Sequence, residues 1–309
     1  MAQSSSQPLS VGNIVTTGFQ LYKNRFQPYF VLALKAYFWL LVPVYGWAKF
    51  LAISALISRL VYGELTNQPE TINGGTRYVN SKMWQFLLAG LLLGLISLSV
   101  WIILLIALII VFVVIFVSVA LVFRELVSTL QQNTTTSTVI GAIILTISII
   151  GLMLLLLRFF VLELPLAIED NINATLTIRR SWKLTKGFES HILLIYIVTF
   201  LITLPLLALL ESACYLIYKS SFGNFLTAYP LVALVILEEI IRKMFQVLLN
   251  ESNGQKQIFN LLLWILSLCL SIVVGAIQLP FWQAVKAVVY YDLRTRKEGL
   301  GLKLRDRNI

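Results

Sequence analysis

From Phe86 to Phe123 the chain runs without a single charged residue. As one α-helix this stretch would be roughly 57 Å long, about twice the ~30 Å thickness of a hydrocarbon layer. The run therefore predicts membrane spans, and its length predicts two, about 84–101 and 102–123, with a turn near Ser99. Composition agrees: 59% of the 309 residues are hydrophobic and 12% charged, against roughly 25% charged in an ordinary soluble domain. The alternating period of a transmembrane β-barrel is absent. The expected fold class is all-α, a polytopic transmembrane helical bundle of about six spans, or up to eight membrane segments, with interfacial amphipathic helices.

The other spans follow from apolar runs and their interruptions. A first span is expected at about 28–50, but Pro43 and Gly46 fall inside it. They either kink it or break it into segments 28–42 and 47–62, forming a hairpin or re-entrant element. Lys35 there snorkels or faces protein. Further spans are expected at about 139–161, 191–210 and 258–280, the last closing at Pro280. The stretch 225–249 is interrupted by Tyr229-Pro230 and by Glu238, Glu239, Arg242 and Lys243, and reads as a surface-lying or partly inserted helix in which Glu238 pairs with Arg242. Polar turns are expected at 63–83 and from Thr129 to Thr138.

Residues 1–9 are polar and read as a disordered N-terminus lacking the basic and apolar regions of a cleavable signal, so the first span would serve as the insertion signal. Val11, Ile14, Val15, Gly18, Tyr22 and Phe26 then recur at spacings of three and four, one face of a helix that either lies in the headgroup plane or packs on the protein. Ile14–Phe26, Ile72–Trp84 and Leu176–Phe188 span the same interval before a membrane segment, which suggests internal repeats starting near 10, 70 and 172. The whole of 10–290 reads as one transmembrane helical domain, followed by a basic tail, 291–309.

The net charge of +10 does not call for nucleic acid, because membrane proteins gather Lys and Arg in cytoplasmic loops facing anionic headgroups. Placing the N-terminus, the 163–190 loop and the tail in the cytoplasm satisfies that bias. Cys214 and Cys269 have apolar neighbours and read as packing residues. His191, the single histidine, stands at the start of a span and reads as interfacial. With one His and two dispersed Cys, no metal or other cofactor is expected. Glu163, Glu169 and Asp170 surround Pro165, with Arg158 and the 179–186 cations close enough in sequence to form an ion-pair network. No phosphate-binding loop, nucleophile elbow or HExxH occurs.

Two stretches carry a resemblance: LELPLAIEDNINATLTIRRSWKLTKG at 162–187 and VVYYDLRTRKEGLGLKL at 288–304. They resemble the membrane domain that precedes the catalytic barrel in some bacterial glycerophosphodiester phosphodiesterases, and that domain's stand-alone relatives. The matching positions are Pro165, Glu169, Asp170, Arg180, Ser181, Trp182, Leu184, Thr185 and Gly187, then Tyr290, Tyr291, Asp292, Leu293, Arg294, Arg296, Glu298, Gly299 and Leu300. Gly301 stands where an acidic residue often follows. The barrel and its metal-binding residues are missing from this sequence, so the resemblance implies a bacterial inner-membrane module and no phosphodiesterase activity.

The candidate site residues are Glu169, Asp170, Arg179, Arg180, Trp182, Lys183 and Lys186 in the first stretch, and Tyr291, Asp292, Arg294, Arg296 and Glu298 in the second. Their chemistry suits either lipid headgroups or structural ion pairs, including pairs joining the two stretches. The expected function is a non-enzymatic membrane module that binds lipids, including anionic phospholipids, or a protein partner or a second copy of itself. A transporter or channel is the alternative, from the broken segments and repeats. An intramembrane enzyme built on Glu163, Glu169, Asp170 and His191 is a third.

Overall fold

A computed structural model describes residues 9–122, 151, 153, 155–218 and 254–299. The described residues are all-helical, with no strand among them. Expectations for residues 1–8, the 129–138 turn, most of the 139–161 span, the 225–249 stretch with its Glu238–Arg242 pair, and the chain beyond Gly299 lie outside them. In order, the helices are α1 (Val11–Asn24), α2 (Phe26–Trp39), α3 (Tyr45–Leu65), α4 (Ile72–Ser81), α5 (Met83–Val122), α6 (Glu163–Ile168), α7 (Ala174–Thr185), α8 (Glu189–Tyr218) and α9 (Gly254–Glu298). Among the described residues, Met83–Ile103, Glu189–Leu210 and Leu268–Glu298 are long and apolar enough to cross a membrane.

The chain forms two compact units, residues 1–84 with 194–309 and residues 85–193. In the first, the C-terminal half of α9 is the central helix. Phe281 to Val285 and Ala287 to Leu293 are buried on every side, as a helix must be when neighbours surround it. Those neighbours are α1, α2 and α3. Towards its start α9 changes character: Ile265, Leu266, Cys269 and Val273 are exposed. Cys269 is thus an outward-facing residue and not the packing residue expected. Its apolar sequence neighbours are no guide to burial, because a membrane helix turns apolar surface outward.

α1 buries Ile14, Val15, Gly18 and Tyr22, the expected face without Val11, which is half-buried, and Phe26, which is exposed. It is a packing helix laid along α9, with Asn13, Thr16, Gln20 and Lys23 outward. Gly18 permits the approach, since a Cβ there would lie 3.0 Å from Val285 Cγ2 and 3.1 Å from its Cα. Of the two readings of 28–62 the broken one holds: α2 and α3 are separate helices joined by a turn at 40–44. α2 and α3 pack together as a hairpin.

Three expectations need correction. No turn interrupts α5 near Ser99; the helix continues to Val122, because no Gly or Pro adjoins Ser99 to break it. The 63–83 region is not simply turns, for α4 forms within it. The last helix does not close at Pro280 but runs through it to Glu298, where Gly299 at φ +62 stops it.

α1, α4 and α7 begin alike. Ser10, Thr71 and Asn173 each accept, through the side chain, the backbone N–H three residues on. Each helix then buries the residues four and eight past its cap: Ile14 and Gly18, Gly75 and Val79, Thr177 and Ser181.

Candidate functional site

Arg158 to Leu162 is a tight turn, in which successive N–H groups reach back three residues instead of four. Such a turn frees carbonyls that a regular helix would occupy. α7 satisfies them. Its buried hydroxyls form one stripe: Thr177 donates to Leu162 O, and Ser181 and Thr185 both donate to Arg158 O at 2.9 Å. Leu184 fills the space beside them and is buried.

The charged residues of this first stretch divide in two. Arg180 points back and pairs with Glu169 at 3.1 Å. Arg158 pairs with Glu189 at 2.6 Å, and its guanidinium lies 4.4 Å from the Trp182 ring centre, a cation–π contact. Phe159 flanks the same ring. Gly187, at φ +89, takes the left-handed turn into α8 and donates its N–H to Glu189. Arg179, Lys183 and Lys186 are exposed, together with Leu176 and with Trp182, which is 40% exposed. Asp170 is exposed, and Glu163 and His191 are half-buried.

The second stretch works differently. Asp292 is 2% exposed: its Oδ1 accepts the N–H of Leu9 at 2.9 Å, and its Oδ2 meets Arg296 Nε at 2.7 Å. Arg296 also donates to the Leu9 carbonyl at 2.8 Å. The pair therefore grips both polar groups of one peptide residue some 280 positions away in sequence. On the opposite side of the helix, two residues along, Arg294 pairs with Glu298 at 3.0 Å and donates to the Tyr62 hydroxyl at 3.1 Å. Tyr62 packs against the rings of Tyr290 and Tyr291. The 2.6–3.1 Å ion pairs just described are internal to their own stretches, or in the case of Arg158 and Glu189 flank the first.

Sequence reasoning placed these residues together in two groups but missed their partners, Leu9, Tyr62 and Arg158 O. Pairing of a similar kind recurs at the base of the α2–α3 hairpin, where Glu64 accepts from Arg25 at 2.7 Å and Tyr29 at 3.0 Å. It recurs between α3 and α4, where Arg59 meets Glu70 at 2.6 Å and stacks on Tyr78. Among the described residues no three His, Cys, Asp or Glu side chains gather as a metal site would require.

The three long apolar helices make this a helical membrane protein. Compared with protein-family models, with curated proteins and with solved structures, the chain matches none.

Proposed function

We propose that the chain is a non-enzymatic module of a bacterial inner membrane, with six to eight membrane segments and both termini cytoplasmic, that binds anionic phospholipid through the outer face of α7. The observation that carries this reading is that face itself: Leu176 and Trp182 are exposed beside Arg179, Lys183 and Lys186. An apolar and aromatic surface interleaved with cations suits the boundary between headgroups and acyl chains. Arg180, Arg294 and Arg296 belong to the scaffold in this reading, since carboxylates already engage them. The resemblance of 162–187 and 288–304 to the membrane domain of glycerophosphodiester phosphodiesterases supports the same assignment, and the common capping of α1, α4 and α7 supports treating them as one recurring unit.

Native mass spectrometry of the protein released from nanodiscs containing phosphatidylglycerol tests the proposal. Retained anionic lipid is expected, and an Arg179→Ala, Lys183→Ala, Lys186→Ala triple variant should lose most of it while keeping its unfolding midpoint. Equal retention by parent and variant would remove α7 as the lipid site. A parent that retains no lipid would favour the transporter reading.

A further inference from the structure

We infer that the tip of the α2–α3 hairpin, from Phe38 to Tyr45, is a shallow membrane anchor that inserts among lipids at the level where α5 enters the bilayer. The inference rests on α5 being a membrane span but not on the α7 lipid site.

Length is the first argument. α2 has 14 residues, about 21 Å of helix, too short to cross a ~30 Å hydrocarbon layer. The hairpin is also closed at its base, where Glu64 near the end of α3 holds both Arg25 and Tyr29 at the start of α2. The chain therefore enters and leaves this element at one level.

The tip then has the wrong chemistry for water. Leu40 to Val44 reads LLVPV, whereas aqueous turns collect Gly, Asn, Asp and Ser. Phe38 (57%), Leu41, Val42 (43%) and Val44 are exposed, with Trp39 and Tyr45 beside them. Val44 sits at φ +59 and ψ −66, a γ-turn conformation that favours glycine, yet the residue is β-branched and apolar. Most of the tip's backbone donors are paired internally, as lipid demands of irregular chain. Leu40, Leu41 and Val42 donate to carbonyls at the end of α2, Tyr45 donates to Pro43 O and Gly46 to Val42 O, and Pro43 has no N–H to donate.

Depth comes from a neighbour. Tyr45 packs edge-on against Trp84 at 6.4 Å, and Trp84 is the second residue of α5, whose Met83–Ile103 segment is long and apolar enough to span. A cation adjoins the tip: Lys49 lies over the Tyr45 ring and bonds Asn80 at 2.9 Å, a pairing of aromatic ring and cation that suits the boundary between acyl chain and anionic headgroup.

The test uses the full chain with Cys214→Ser and Cys269→Ser, reconstituted in phosphatidylethanolamine/phosphatidylglycerol vesicles. Single nitroxide labels go at Val42→Cys, at Gln20→Cys on the outer face of α1, and at Leu95→Cys on α5, which is 62% exposed. Relaxation by oxygen, which concentrates in lipid, is compared with relaxation by an aqueous nickel chelate. The oxygen-to-nickel ratio at Val42 should be several-fold above that at Gln20 and below that at Leu95, a shallow lipid position. A Val42 ratio equal to that of Gln20, with Leu95 still lipid-like, would overturn the inference alone. Low relaxation by both agents at Val42 would also overturn it, since a protein surface would then cover the tip. A water-like Leu95 would instead overturn the reading of α5 as a span, and the inference with it.

Discussion

Asp292→Asn is the substitution that best separates a structural clasp from a ligand site. It keeps the shape and one acceptor for the Leu9 N–H, but it removes the charge facing Arg296, 2.7 Å away. Losing one member of a buried ion pair costs about 3–5 kcal/mol. Asp292 is fully enclosed, but Arg296 is about a fifth exposed, so water recovers part of that loss and about 2–3 kcal/mol remains. For chains of roughly this size each kcal/mol moves the unfolding midpoint by about 2–4 °C, so a fall of about 5–10 °C is expected in a mild detergent. Arg296→Ala should cost a similar amount. The double variant should cost less than the sum, because the second substitution removes a charge the first has already orphaned. Thermal unfolding followed by thiol-reactive dye or intrinsic fluorescence gives all four corners of the cycle. Additive losses, or an unchanged midpoint together with reduced lipid retention, would show that Asp292 serves a ligand and that the clasp is misread.

Two glycines of α1 should respond in opposite directions to alanine. A Cβ at Gly12 meets nothing within 4 Å, so Gly12→Ala should stabilise by about 0.5–1 kcal/mol; at Gly18 the Val285 backbone lies 3.1–3.2 Å away, and crowding of about 1–3 kcal/mol outweighs the helical gain. Unfolding midpoints of the two variants should thus move up and down respectively. The Tyr22 phenol, donating to Ile277 O at 2.9 Å, is pushed by burial from 10.0 up to about 12. The folded state therefore holds this proton more tightly than the unfolded chain does. Its contribution is complete below pH 10 and is lost as pH rises towards 12, and Tyr22→Phe should flatten the stability profile in that window.

How much was legible in advance differs from element to element. The helical class, the apolar face from Ile14 to Tyr22, the interruption at Pro43 and the gathering of cations before 187 all follow from residues close together in sequence. Helical period and partition between water and lipid act on contiguous segments, so a contiguous pattern records them. The continuity of α5 past Ser99 is local information too, since no residue beside Ser99 breaks a helix. By contrast, nothing in the spacing of YYDLRTRKE says that Asp292 and Arg296 close on Leu9, or that Arg294 reaches Tyr62. Nor does RRSW say that Arg180 turns inward to Glu169 while Arg179 stays outward.

The sequence alone determined that this protein is helical, enters a membrane and carries two stretches rich in charged residues. Only the tertiary structure decided which of those charges are consumed in holding helices together and which still face outward. The physical reason is that an apolar run responds to its solvent wherever the chain goes, whereas the partner of an arginine is fixed by which distant backbone the packing of α1, α3 and α9 brings within 3 Å.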